Sequence, residues 1–273
     1  MQIPDRRTML HKIALLISGL FLFLAPSPVR AQSPYSLDST REWTLFGTGV
    51  ALGLGGLFMT THVEPLTLDE INRLDVNDIN GFDRGSMQPL RDDHAGDALA
   101  VASYLVPLTF LTRDDTRSDF KTLGTMWVEA TLLNLGINGI VKAAVARTRP
   151  YAYDPDAPMD KKTDRTARLS FYSGHTSSTA TNCFFAARVF SDYLTDDTAE
   201  ALLWTGAALY PALSGFLRVD SGHHFSTDVI AGYVIGASIG LLVPELHRHG
   251  DDRVSVQPTS GGVDMGISFQ VTF

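Results

Sequence analysis

The sequence predicts an all-α protein, six apolar helices around one core, followed by a short C-terminal β-hairpin. Three observations carry that prediction. Apolar stretches of helical length alternate with polar breaks between residues 43 and 246. Alternation with a period of two, the pattern of a strand, sets in after residue 253. The length without a leader fits a single domain, and the lone cysteine, Cys183, excludes an internal disulfide framework.

Residues 1–31 read as an export signal. Arg6, Arg7 and Lys12 precede the apolar run 13–25, and Val29-Arg30-Ala31 stands before Gln32. That run is short for a membrane span; an uncleaved first transmembrane helix is the competing reading. Residues 32–250 then form the helical domain, and 251–273 the tail. The first apolar stretch is 43–62. A polar, acidic segment, 63–97, follows it and reads as a surface loop, because its glycine is out of register for a calcium-binding loop. The remaining helices are expected at 98–112, 122–141, 176–194, 201–217 and 229–246. Glu129, Arg188 and Asp192 interrupt apolar faces and read as interhelix pairs or exposed residues. Cys183 sits among small and aromatic residues and reads as a buried, inert thiol. In the tail, Val263, Met265, Ile267, Phe269, Val271 and Phe273 alternate with polar or small residues, and 258–262 supplies the turn.

Charge narrows the partners. The formal net charge is −8, and loss of residues 1–31 makes it about −11. This disfavours nucleic acid and anionic surfaces as general partners. Lys142, Arg149 and Arg218 are therefore a local exception, and they fall in three segments that carry chemistry. In RVDSGHHFSTD, residues 218–228, His224 and Asp228 are four apart and share a face if a helix starts near Ser226. A carboxylate on one ring nitrogen fixes the tautomer and leaves the other as nucleophile or base. Taken alone, such a pair is more often only a helix cap and its neighbour. Lys142 and Arg149 are seven apart, two helical turns, and Pro150 disfavours helix at Arg149. Phe171-Tyr172-Ser173-Gly174-His175 is a short turn before a hydroxyl-rich helix start, whose free N–H groups suit an anion. Together these groups suit a phosphate gripped by cations, attacked by one histidine and protonated by the other.

K-x6-RP, SGH and R-x5-H-x3-D, in this order, resemble the motifs of the type 2 phosphatidic acid phosphatase (PAP2) family. That family shares its core with class A acid phosphatases and vanadium haloperoxidases. The resemblance spans roughly residues 95–245 and implies a six-helix bundle of the PAP2/haloperoxidase type. It implies metal-independent, cofactor-free hydrolysis of a phosphomonoester or pyrophosphate, of an envelope lipid or a small phosphoester, through a phosphohistidine. By resemblance, His224 is the nucleophile, Asp228 holds it, and His175 protonates the departing oxygen. Lys142, Arg149, Ser173, Gly174 and Arg218 would bind the phosphoryl group. Tyr172 and Leu217 depart from the family's usual proline and serine, which bears on turn rigidity and substrate preference. His223 is out of register and reads as a neighbour of the site. A vanadate-dependent haloperoxidase and a non-enzymatic envelope protein are the alternatives; the chain is short for the first, and the complete reactive set argues against the second.

The sequence places the protein in the periplasm or cell envelope and leans toward an exported bundle, with membrane contact left open. Its apolar stretches lie at the border between core helices and spans, and its mean hydropathy is near zero.

Overall fold

The computed structural model describes residues 33–249 and, beyond them, the backbone of two strands. The expected export signal lies outside the described residues. The six apolar stretches are all helical. The long elements are α1 (Ser39–Thr61), α2 (His94–Ser103), α3 (Phe120–Val145), α4 (Gly174–Tyr193), α5 (Asp197–Asp220) and α6 (Ser226–Leu246). Asp38, Asp93, Ser173 and Asp196 cap α1, α2, α4 and α5 by accepting backbone N–H bonds. These caps start the helices ahead of the apolar pattern.

The stretch expected as one helix over 98–112 is broken. α2 stops after Ser103, and a tighter 3-10 segment, Val106–Thr112, continues at an angle of 42°. Pro107 is the cause: it has no N–H for the preceding turn, and its ring crowds that turn's carbonyl.

α1 lies along α3, and α4 packs against α6, α5 and α3. The closest approach is a glycine stripe on α6. A Cβ added at Gly232, Gly236 or Gly240 would stand 2.6, 2.2 and 2.6 Å from the carbonyls of Ser173, Ser177 and Thr181 on the α4 side. Small residues four apart let two helix backbones touch, so this stripe sets how α6 meets the start of α4. The ascending register makes α4 and α6 parallel. Gly49 against Leu132 and Gly56 against Gly139 make α1 and α3 parallel as well. One end of the bundle therefore gathers the starts of α2, α4 and α6 with the ends of α1, α3 and α5. Between the ends lies a core of Phe110, Leu123, Met126, Phe185, Phe190 and Tyr210, all fully buried.

Among the described residues, three helical segments are long and apolar enough to cross a membrane: α1, α6, and α3 with its continuation to Tyr153. Their outer faces are apolar, with Trp43, Leu54, Leu57 and Phe58 exposed on α1 and Val234 and Leu242 on α6. Three such helices support membrane association, where the overall mean hydropathy leaves membrane contact open. That value, +0.04, averages these faces with polar loops and so conceals them.

Arg188 on α4 makes an interhelix pair with Glu245 on α6 at 3.0 Å, and its pair with Asp192 at 3.2 Å lies within α4. Cys183 is fully buried. The segment read as a surface loop is more ordered than that reading. Leu68–Asn72 is a helical turn with a Thr67/Glu70 capping box, Gly81–Arg84 is another, and Asp83 and Asp93 are buried. In the tail, Val254–Gly261 pairs antiparallel with Asp264–Val271. Residues 258–261, expected in the turn, pair within the ladder instead, Pro258 opposite Ile267.

Candidate active site

All three motifs come to the same end of the bundle. α3 ends at Val145, where Ala146 takes the left-handed conformation (φ 44°) and donates its N–H to the Lys142 carbonyl. This corrects the expectation that Lys142 and Arg149 share a helical face. Arg149 lies past the turn in extended backbone, with its N–H on the Ala167 carbonyl at 2.8 Å. Lys142 donates through Nζ to the Leu169 carbonyl at 2.8 Å. Arg149 donates through Nε to the Thr166 carbonyl at 2.9 Å.

The second motif starts α4. Ser173 is the cap: its Oγ accepts from the Thr176 hydroxyl at 2.9 Å, which leaves its own hydroxyl hydrogen to give. Gly174 is the first helical residue. A Cβ there would meet the Asn138 Oδ1 at 3.0 Å, so the position is tight on the α3 side. Asn138 in turn donates to the Tyr172 carbonyl, and Tyr172 is fully buried. The site thus presents a hydroxyl and helix-start N–H groups, the components of an anion seat.

The third motif ends α5 and starts α6, which begins at Ser226 as expected. Arg218 is buried against Asp93 at 3.0 Å and Asp97 at 3.3 Å, and its Nε makes no hydrogen bond. His224 is buried with Nδ1 3.4 Å from Asp228 Oδ2. The same oxygen accepts from the Ser170 hydroxyl at 2.5 Å and the Phe225 N–H at 3.0 Å. The Ser173 N–H donates to the Asp228 carbonyl at 3.0 Å and ties the second motif to the third. His223 turns to the Ser221 hydroxyl at 2.9 Å.

The electrostatics show the convergence. Burial, followed by Arg149, Lys142, Arg218 and His175, holds the His224 imidazole well below the usual histidine range. Its neutral form is the one with a lone pair to offer. Burial and Arg218 push His175 down to about 4, against the raising effect of Asp97, whose Oδ1 lies 2.9 Å from Nε2. The one change that would raise both histidines is an anion arriving among the cations.

Five neighbours of the motifs were not found in the sequence. Arg147 forks between Asp228 Oδ1 at 2.6 Å and Asp83 Oδ2 at 2.7 Å, with its guanidinium 4.2 Å from the Phe225 ring. Asp83 also accepts the Thr227 N–H at 2.9 Å and the Thr227 hydroxyl at 2.7 Å. Asp93, Asp97 and Ser170 complete the set. Three of the five come from the acidic segment, and their signal was complementarity: surplus acid in 63–97 facing the cations of an otherwise acidic chain.

Residues 124–249, the segment that carries all three motifs, match the sequence model of the PAP2 superfamily. A solved structure similar to this chain is the first transmembrane PAP2 type phosphatidylglycerolphosphate phosphatase from Bacillus subtilis. It is 21% identical over 71% of this chain and 93% of its own length, with a TM-score of 0.43.

Proposed function

We propose that this protein is a membrane-associated phosphatase that hydrolyses a phosphate ester or pyrophosphate of a lipid through a phosphohistidine. The observation that carries the reading is a buried, neutral imidazole, His224, held by a carboxylate and faced by Lys142, Arg149, Arg218 and His175. The Asp228 carboxylate holds Nδ1–H, so the lone pair is on Nε2. That nitrogen attacks phosphorus and forms the P–N bond as the ester P–O bond breaks. His175 gives its proton to the departing oxygen. In the second step water attacks phosphorus, His175 takes the water proton, the P–N bond breaks and phosphate leaves. The three cations, the Ser173 hydroxyl and the Gly174 N–H stabilise the charge spread over the phosphoryl oxygens. No step requires a metal or a cofactor.

The lipid substrate rests on placement. The apolar faces of α1 and α6 run the length of the bundle to or from the end that holds the site, so a headgroup phosphate at the membrane boundary would meet the cations. The phosphorylated centre is shared with small soluble esters, and the test separates the two. Purified full-length protein is assayed without added metal on a micellar lipid phosphate and a soluble aryl phosphate, beside His224→Ala. Phosphate release from the lipid, reduced about 10⁴-fold or more in the variant, is expected. Near-normal turnover by His224→Ala would overturn the mechanism. Equal release from both substrates would remove the lipid assignment.

A further inference from the structure

At the opposite end of the bundle, three side chains that the phosphatase chemistry does not use converge in the interior. They are Glu42 on α1, Glu129 on α3 and His247 just past α6. His247 Nε2 lies 3.0 Å from Glu42 Oε2 and 3.1 Å from Glu129 Oε2. His247 and Glu129 are fully buried, and Glu42 reaches the margin. The histidine places its Nδ1 2.7 Å from the Val243 carbonyl. That bond fixes Nδ1 as the protonated nitrogen and turns the Nε2 lone pair toward the two carboxylates, the orientation that histidine ligands of metals adopt.

As it stands the cluster is poorly satisfied. Glu129 is buried, and the His247 Nε2 at 3.1 Å from its Oε2 is shared with Glu42 and is not aligned as a hydrogen bond to it. One imidazole nitrogen cannot serve two carboxylates, and a buried carboxylate without donors is costly. Arg41 does not relieve this. Its guanidinium bonds Glu42 Oε1 at 2.9 and 3.1 Å and the Leu246 carbonyl at 2.7 Å, leaving Glu42 Oε2 directed inward.

We propose that Glu42, Glu129 and His247 bind a divalent first-row transition-metal cation that clamps α1, α3 and α6. One imidazole nitrogen with two carboxylate oxygens is a donor set for manganese, iron or zinc. Ligands about 2.1 Å from one ion lie roughly 3.0 Å apart at right angles and roughly 3.4 Å apart at the tetrahedral angle. The observed separations of 3.0 and 3.1 Å therefore need only small movements to close on an ion. Two carboxylates and one dication leave no net charge inside, and the Glu129 oxygens gain the partner they lack. α6 separates this cluster from His224 by roughly 30 Å at the helical rise, so the ion is structural and takes no part in phosphoryl transfer.

The test reads metal content and thermal stability, neither of which needs turnover. Full-length protein purified in detergent without chelator should carry about one equivalent of metal by elemental analysis. Chelator-stripped protein should gain about 5 °C or more in melting temperature when MnCl2 or ZnCl2 is added at a hundredfold excess over Kd. Glu129→Gln, which keeps shape and removes the charge, and His247→Gln should lose the metal-dependent gain. If either variant fails to fold, the wild-type titration alone decides. Wild-type protein that carries no metal and melts at one temperature with or without both salts would overturn the proposal. So would variants that gain as much as wild type.

Discussion

Arg147→Met removes the guanidinium that joins the acidic segment to the catalytic end while keeping the side-chain length. Two fully buried carboxylates, Asp83 and Asp228, lose a partner at 2.7 and 2.6 Å. Breaking a buried pair from one side costs about 3–5 kcal/mol, and the partial exposure of Arg147 brings the expectation toward about 3 kcal/mol. For a chain of this size that lowers the melting temperature by about 6 °C or more. Asp228 keeps the Ser170 hydroxyl and the Phe225 N–H on Oδ2, so it stays in place but lies beside an uncompensated Asp83. Added negative charge there favours protonated His224 and weakens the nucleophile, so kcat should fall about 10–100-fold. Arg147→Lys retains charge without the fork that spans both carboxylates and should be intermediate. The assay pairs a thermal melt with phosphate release from a lipid phosphate. An Arg147→Met protein that melts and turns over like wild type would refute the argument that this ion pair supports the nucleophile.

Four further outcomes follow from the same geometry. Under the proposed mechanism the site should work best in acid, because His175 must carry a proton and burial with Arg218 holds it down to about 4, while burial and the facing cations hold His224 well below the usual histidine range; kcat/KM should fall as pH rises above the His175 value. Asp97→Asn removes the one group that raises His175, so it should move that limb to lower pH, and an unmoved pH–rate profile would show that Asp97 does not act on His175. Gly236→Ala puts a Cβ 2.2 Å from the Ser177 carbonyl and should cost several kcal/mol by forcing α4 and α6 apart, about 5 °C or more by thermal melt; a wild-type melt would show the stripe is not close-packed. Of single cysteines at Thr195, between α4 and α5, and at Asp160, in the segment between Arg149 and Ser173, one should label with an impermeant maleimide on intact cells and the other only after permeabilisation; labelling of both on intact cells would mean that the bundle does not cross the membrane.

Much of this was legible because helix periodicity and short motifs are local properties. Asp228 sits in the first turn of a helix that begins at Ser226 and reaches back to His224, four residues earlier and just ahead of the helix. Ser173 and Gly174 start α4 because a hydroxyl followed by glycine is a strong helix start. Arg149 shows where locality fails. Its distance from Lys142 fitted a helical face, yet α3 ends at Ala146 and tertiary bonds to Ala167 and Thr166 bring the cation back. Arg147 had no signal of its own, since an arginine between two motif cations reads as more of the same charge. Its role depends on Asp83, 64 residues away, and on a buried salt bridge that no spacing encodes. The acidic segment was read as a solvated face for the same reason: aspartates that cap, pair and dock have the composition of aspartates that do none of these.

The direction of the helices constrains how the chain sits in an envelope. Tyr35 bridges to Arg248 and bonds Asp192 at 2.6 Å, so residues 33–38 lie at the end of the bundle that holds Glu42 and His247. The motifs lie at the other end, beyond α1. With α1 of 23 residues, roughly 34 Å long, against a hydrocarbon core of about 30 Å, the two ends face different compartments if α1, α3 and α6 span. A segment 33–38 released outside by signal cleavage then puts His224 on the inner face. A site on the outer face requires residues 33–38 to stay inside, which neither cleavage of 1–31 nor an uncleaved leader helix spanning with Arg6, Arg7 and Lys12 inside provides. Cleavage of the leader and an outward-facing site are thus mutually exclusive for a spanning bundle. The side from which the cysteine at 160 is labelled shows which face holds the site, without any assay of activity.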